Sequence, residues 1–164
     1  MSSPETPAVP TPHAGPPTIA EIMTRRVVTV SMDDDIRRIR QIFDREKFHH
    51  VIVVEAGRAV GIISDRDLLK HLSPFLGKIT ERVQDADTLH RRAHQVMSRP
   101  LIACAPQLQI AHAARLMLER RVSCMPVVDT DRRCVGIVTI RDVLAWALVR
   151  GDPAADRCDL PLAA

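Results

Sequence analysis

The sequence predicts an α/β fold in which two β-α-β-β-α repeats pack as one pseudo-symmetric module. Three observations carry this expectation. Gly61-Ile62-Ile63-Ser64-Asp65-Arg66-Asp67-Leu68-Leu69 returns as Gly136-Ile137-Val138-Thr139-Ile140-Arg141-Asp142-Val143-Leu144. Upstream, Ile22-Met23 returns as Val96-Met97, with arginines following each (Arg25 and Arg26; Arg99), at an offset of 74 residues against 75 at the glycines. The one-residue difference falls in a turn, residues 55–59 against 129–134, where an insertion costs least. Between these markers, short β-branched runs alternate with helical patterns. A unit of this length, duplicated, buries a face shared with its copy.

The elements follow in order. Residues 1–17 are Pro, Ser, Thr, Ala and Gly with almost no large apolar side chain, so a disordered tail is expected. Repeat 1 is expected over 18–73. It opens with a helical turn at 18–23 and a short strand at 27–30. Asp33, Asp34 and Asp35 then supply N-cap acids for a helix over 36–47. There Ile36, Ile39, Ile42 and Phe43 form the apolar face, and Arg37, Arg38 and Arg40 face water. Residues 51–54 are a continuous β-branched run, hence a strand covered on both faces. A turn at Gly57 leads to a strand at 59–63 and a helix at 65–72. Residues 74–95 connect the halves, with a helix near 87–95. Repeat 2, over 96–150, gives a strand at 101–104 and a helix at 109–121 with Ile110, Ala113, Ala114, Met117 and Leu118 inward. Strands at 125–128 and 134–138 and a helix at 141–149 complete it. Residues 151–164 form a loose tail.

Composition bounds the chemistry. The chain has 164 residues, three Phe, one Trp and no Tyr, so its core is built from Val, Ile, Leu, Met and Ala. The net charge of +3 is spread over scattered arginine pairs rather than a continuous basic run. Solvated helix faces account for these pairs; nucleic-acid contact is the minority reading and such a partner is not expected. Cys104, Cys124, Cys134 and Cys158 show no metal spacing, and Cys104 and Cys124 sit in apolar runs as small core residues. No run is long or apolar enough for a membrane span, and no secretory pattern opens the chain. A cytoplasmic, reduced protein with no membrane partner is expected. His90 and His94 lie four apart without a third ligand, so no metal site is expected. No nucleophile or acid–base pair can be assembled, which points away from an enzyme. A cation site at Asp33-Asp34-Asp35 is outweighed by helix capping.

The repeated polar signature is Ser64-Asp65-Arg66-Asp67 and Thr139-Ile140-Arg141-Asp142, placed where a strand passes into a helix. A hydroxyl followed three residues later by an acid is close to a capping box, which alone accounts for one copy. Gly61 and Gly136, three residues earlier, let another group approach the strand. Arg66 and Arg141 are unnecessary for a cap and useful for an anion. A helix start favours phosphate, and a carboxylate can accept two hydrogen bonds from a cis-diol. Hydroxyl, arginine and carboxylate together can hold a ribose phosphate, and capping does not exclude that role.

With these motifs, and with Met125-Pro126-Val127-Val128 before the second glycine, residues 19–148 resemble a tandem pair of CBS domains, named after cystathionine β-synthase. The resemblance implies two clefts between paired repeats and adenosyl ligands such as AMP, ADP, ATP or S-adenosylmethionine, with no covalent cofactor. It implies that Asp67 and Asp142 grip the ribose and that Ser64 and Thr139 assist at ribose or phosphate. Adenine would sit against Val27 and Val28 in the Asp142 cleft, and against Leu101 and Ile102 in the Asp67 cleft. His49-His50 stand at a position that reaches phosphates in the family, against Ser123-Cys124 in repeat 2. On this reading imidazoles serve the Asp67 cleft and only small groups serve the other; an exposed loop pair is the alternative. Ile52 for Pro126 and Met32 for Pro106 are departures at cleft walls. The implied function is a regulatory sensor that signals to a separate regulated protein and forms a homodimer through its helices. Rival readings are a structural interaction module with empty clefts and a weak nucleic-acid binder.

Overall fold

The computed structural model describes residues 15–46, 48–72 and 88–151. The expected tails at 1–14 and 152–164, Cys158, the end of the first long helix at Lys47 and the connecting stretch 73–87 lie outside the described residues. Repeat 1 contains α1 (Ile19–Ile22), β1 (Thr29–Ser31), α2 (Ile36–Glu46), β2 (His50–Glu55), β3 (Arg58–Ser64) and α3 (Asp65–His71). A 3-10 turn (Thr88–His90) and α4 (Ala93–Val96) follow. Repeat 2 contains α5 (Ile110–Arg120), β4 (Cys124–Val128), β5 (Cys134–Thr139) and α6 (Ile140–Gly151).

β1 runs parallel to β2, and β2 antiparallel to β3, in one three-stranded sheet. β4 and β5 form an antiparallel pair. The strand expected at 101–104 contracts to one parallel bridge, Cys104 to Val127. Its register copies Val30 to Val53 in repeat 1. Pro100 and Pro106 flank this segment, and neither has an N–H to extend a ladder. Val27 and Val28, also expected in a strand, lie before β1.

Asp35 Oδ1 accepts from Arg38 N at 2.9 Å, the N-cap contact its sequence position predicts. Ile36, Ile39 and Phe43 are buried beneath α2, while Arg37, Arg38 and Arg40 are exposed. In α5, Ile110, Ala113 and Met117 are buried, but Leu118 is 72% exposed, against expectation. At about 100° per residue the buried stripe runs from Ala113 through Met117 to Ile110, and Leu118 lies about 80° beyond Ile110, out of the stripe.

The cores are interlaced. Repeat 1's core combines Val30, Ile39, Val51, Val53 and Ile63 with Ala93, Val96 and Met97 from α4 and its end. Repeat 2's core combines Ile110, Met117, Met125 and Val138 with Ile19 and Met23, from the other end of the chain. The backbone fixes this arrangement. Ile19 N donates to Leu108 O at 2.9 Å, Ala20 N to Pro106 O at 2.9 Å and Ile110 N to Pro17 O at 3.1 Å. Pro17, expected in the loose tail, is thus tied to α5. In repeat 1, Ala93 N donates to Asp34 O at 2.8 Å and Ile36 N to Arg91 O at 2.9 Å. The repeats also cross at β3 and β5: Thr24 bridges Ile137, and Ser98 bridges Ile62. No helix among the described residues is long and apolar enough to cross a membrane.

Candidate functional site

The site is built at the start of α6. Thr139 ends β5 and caps the helix, as the hydroxyl-x-x-acid spacing predicts. Thr139 N and Oγ1 donate to Asp142 Oδ2 at 2.7 and 2.8 Å, and Asp142 N donates to Thr139 Oγ1 at 3.3 Å. Ser64 and Asp67 repeat the pattern: Ser64 N and Oγ donate to Asp67 Oδ2 at 3.2 and 2.7 Å, and Asp67 N to Ser64 Oγ at 3.1 Å. Each carboxylate therefore spends one oxygen on its cap. The second oxygens differ. Lys70 Nζ occupies Asp67 Oδ1 at 3.3 Å, whereas Ala145 stands at the equivalent place in repeat 2. Among the described residues nothing is hydrogen-bonded to Asp142 Oδ1. Burial alone would raise the Asp67 carboxyl, but the bonds from Ser64 and Lys70 outweigh it and hold it below the usual carboxylate value.

A cavity of about 370 Å³ opens over Asp142. Val27, Val28, Phe48, Ile137 and Ile140 form its apolar wall. Arg26, His49, His50, Arg141, Thr139 and Ser123 supply its polar edge. The backbone at Thr24 makes the wall: Thr24 N to Ile137 O and Ile137 N to Thr24 O, both 2.9 Å, draw the segment before β1 across from repeat 1 onto β5 of repeat 2. Val27, Val28, Thr139, Arg141 and Asp142, singled out in the sequence, thus meet around one space.

His49 and His50 meet there too, which corrects their expected place in the Asp67 cleft. The start of β2 lies beside the opposite repeat's signature, and only the pairing of the two halves shows that. His49 also reaches back to its own repeat, with Nδ1 2.8 Å from Asp65 Oδ2. His50 has its pKa lowered: burial of the ring outweighs the attraction of Asp65. Asp65 is held low by the His49 bond and the Arg66 N–H, which outweigh the effect of burial. Cys124, the counterpart of His50, stands where Asp67's charge adds to burial in pushing its thiol up to about 12. Phe48, Arg26 and Ile137 also line the cavity without having been singled out. The offset alignment places Arg26 opposite Pro100, a difference the sequence displays.

The remaining residues are less gathered. Arg66 is exposed on α3. Leu101 lines a different cavity with Arg58, Val60 and Arg99, and Ile102 packs against repeat 2's core. No group of three metal-ligating side chains occurs among the described residues. The acidic run is spent locally: Asp35 caps α2, and Asp34 pairs with Arg38 at 2.7 Å.

Comparison with known proteins agrees with this architecture. The CBS domain model matches residues 19–74 and again 93–148. Uncharacterized protein MJ1426 of Methanocaldococcus jannaschii is 30% identical over 149 residues, which cover 77% of this chain and 88% of that protein. The chain spans about half the length, or less, of other curated relatives it matches: 46% of two of them and 22% of a third. Among solved structures, CBSX2 in complex with AMP is 25% identical, with a TM-score of 0.69 over 83% of this chain and 99% of that one. The CBS domain pair of MJ0100, in complex with 5-methylthioadenosine and S-adenosyl-L-methionine, is 25% identical, with a TM-score of 0.65 over 79% and 98%. With two matched repeats, interlaced cores and a cleft between the halves, the chain belongs to the CBS domain family as a tandem pair.

Proposed function

We propose that this chain is a regulatory module that binds a phosphorylated adenosyl ligand in the Asp142 cavity and reports occupancy to a separate protein. One observation carries the reading: an apolar slot, an uncommitted carboxylate oxygen and four nitrogen-bearing side chains converge on one space. The base lies against Val27, Val28 and Ile137. Asp142 Oδ1 accepts from the ribose diol, and Oδ2 keeps the cap. Arg26, Arg141, His49 and His50 face the phosphate. One acid against two arginines and two imidazoles favours AMP, ADP or ATP over the cationic sulfonium of S-adenosylmethionine. The complexes of CBSX2 with AMP and of MJ0100 with S-adenosyl-L-methionine support an adenosyl ligand. A ligand that touches both repeats favours one relative placement of them, and that shift in population is the signal.

Calorimetry with AMP, ATP, 5-methylthioadenosine and S-adenosylmethionine tests this reading. Asp142→Ala removes charge-assisted hydrogen bonds worth roughly 1.5–3 kcal/mol, a loss of about ten- to a hundredfold in affinity. Unchanged affinity and stoichiometry in the variant would leave Asp142 as a cap residue only. Tighter binding of S-adenosylmethionine than of AMP would refute the phosphate assignment.

A further inference from the structure

A second cavity, of about 680 Å³, opens where the β2–β3 and β4–β5 hairpin turns meet, and it shares no lining residue with the Asp142 cavity. Three arginines from three separate segments line it: Arg58, Arg99 and Arg132. Glu55 is the one acid in the lining, and Pro100 and Leu101 supply apolar floor.

The backbone holds these arginines in place. Arg58 bridges Arg133, and Ala59 N donates to Arg132 O at 2.9 Å, which joins the two turns across the repeats. Arg132 sits at φ 64°, in the left-handed region that a non-glycine residue enters only when its surroundings impose it. Asp129 imposes it here: its Oδ1 accepts from Asp131 N at 2.9 Å and Arg133 N at 2.8 Å, and its carbonyl accepts from Arg132 N at 3.0 Å. Arg99 follows Ser98, whose N–H donates to Ile62 O at 2.9 Å.

Some exposed arginines of the molecule find carboxylates: Arg38 with Asp34 at 2.7 Å, Arg40 with Asp44 at 3.8 Å, Arg45 with Glu46 at 3.2 Å, Arg150 with Glu21 at 3.9 Å. Among the described residues the Arg58 and Arg132 side chains have no hydrogen bond or ion pair, and Arg99 reaches only Met32 Sδ at 3.4 Å. Three arginines without an ion pair, against the single charge of Glu55, concentrate a positive field around this concavity. Their planar donor forks match phosphate oxygens two at a time. Three forks exceed what one phosphate needs.

We propose that this cavity is a second anion site, taking a small anion with two or more phosphates. The site does not depend on the Asp142 reading. Its occupant is either a free oligophosphate or the phosphate tail of a nucleotide, since both present the same oxygens.

The test is calorimetry with tripolyphosphate on the full chain, with sulfate at matched ionic strength as the comparison. Arg58→Gln, Arg99→Gln and Arg132→Asn are the variants; asparagine tolerates the left-handed backbone at 132, and thermal melts check that each folds. Each substitution is expected to weaken tripolyphosphate by about tenfold, the effect of one charge-assisted contact at a partly wet site. Arg141→Gln, which removes a cation from the other cavity, is expected to leave it unchanged. ATP that displaces tripolyphosphate from Arg141→Gln identifies a nucleotide tail, and failure to displace identifies a free oligophosphate; either supports the site. The proposal is overturned if wild type does not bind tripolyphosphate, if the Arg58, Arg99 and Arg132 variants bind as wild type does, if sulfate binds equally well, or if Arg141→Gln abolishes binding. The last result places the anion in the other cavity.

Discussion

The two oxygens of Asp142 differ. Oδ2 closes the cap with Thr139, and Oδ1 has no hydrogen-bond partner among the described residues. The same spacing in repeat 1 gives the same cap, but Lys70 has taken the other oxygen of Asp67. The two carboxylates are therefore unequal for a reason one substitution apart in sequence, Lys70 against Ala145. His50 adds a pH dependence. Burial keeps its ring neutral below the ordinary histidine pKa of about 6.5. A bound phosphate favours the imidazolium, so the pKa of the bound state is the higher one. Affinity for AMP should then rise as pH falls from the bound-state pKa to the free-state pKa, and the lower end of that window lies below 6.5. The apo protein shows the opposite sign. Below about 6.5 the unfolded chain takes up a proton that folded His50 refuses, so His50's contribution to stability is lost as pH falls. Titrations of AMP between pH 8 and 5.5 on wild type and His50→Asn check this; equal slopes in the two would remove His50 from the phosphate. The capping carboxylates and hydroxyls were legible in the chain because a capping box uses a fixed local spacing. The place of His49 and His50 was not, because it depends on how two halves far apart in sequence face each other.

At the level of elements, the repeated glycines serve close packing. A Cβ on Gly61 would overlap Met97 Sδ and lie 2.9 Å from its Cγ. A Cβ on Gly136 would lie 2.8 Å from Met23 Sδ and 3.1 Å from the Thr24 carbonyl oxygen. The sequence thus repeats Met and Gly together because each methionine, carried by the helical turn before one repeat, lies on the third strand of the other. Gly61→Ala should cost about 1–3 kcal/mol, the range of overpacking, and much of that should vanish in a Met97→Ala background, where the overlapping atoms are gone. Gly136→Ala should be less relieved by Met23→Ala, because Thr24 O is backbone and is held by two 2.9 Å bonds to Ile137. Urea unfolding of both double-mutant cycles measures the coupling; no coupling at Gly61 would mean that contact with Met97 is not what limits the side chain there. Helix and strand order could be read from the sequence, since α2 carries a clear helical periodicity and 51–54 is a continuous β-branched run. Residues 101–104 misled because their apolar run is strand-like while Pro100 and Pro106 prevent the ladder. Leu118 misled because it lies just outside the stripe that α5 buries.

For the whole molecule, interlacing decides what can fold alone. Repeat 1's core draws on Val30 through Met97, a continuous stretch of chain. Repeat 2's core draws on Ile19 and Met23 together with residues from Cys104 onward, so it is closed by a segment from the other end. Cutting between the family-matched segments leaves each half with its partner's helical turn and without its own. A fragment of residues 18–80 lacks Ala93, Val96 and Met97, whereas 26–99 keeps every residue of that core. A fragment of residues 101–151 lacks Ile19, which is fully buried; losing an Ile of this kind costs about 2–5 kcal/mol even as a truncation to alanine. That is a large share of the 5–15 kcal/mol available to a small domain. Hydrogen exchange should therefore find stronger amide protection in β2 and β3 of 26–99 than of 18–80. A peptide of residues 15–25 added to 101–151 should raise protection in α5 and β4, because a segment that binds only the folded state stabilises it. Equal protection in 18–80 and 26–99, and no response of 101–151 to the peptide, would mean that each repeat is stabilised by its own strands and helices and that the exchanged segments contribute little. The opposite outcome makes each core depend on a helical turn carried by the other repeat, so that a ligand resting on Val27 and Val28 beside Ile137, as proposed, would sit at the link between the cores.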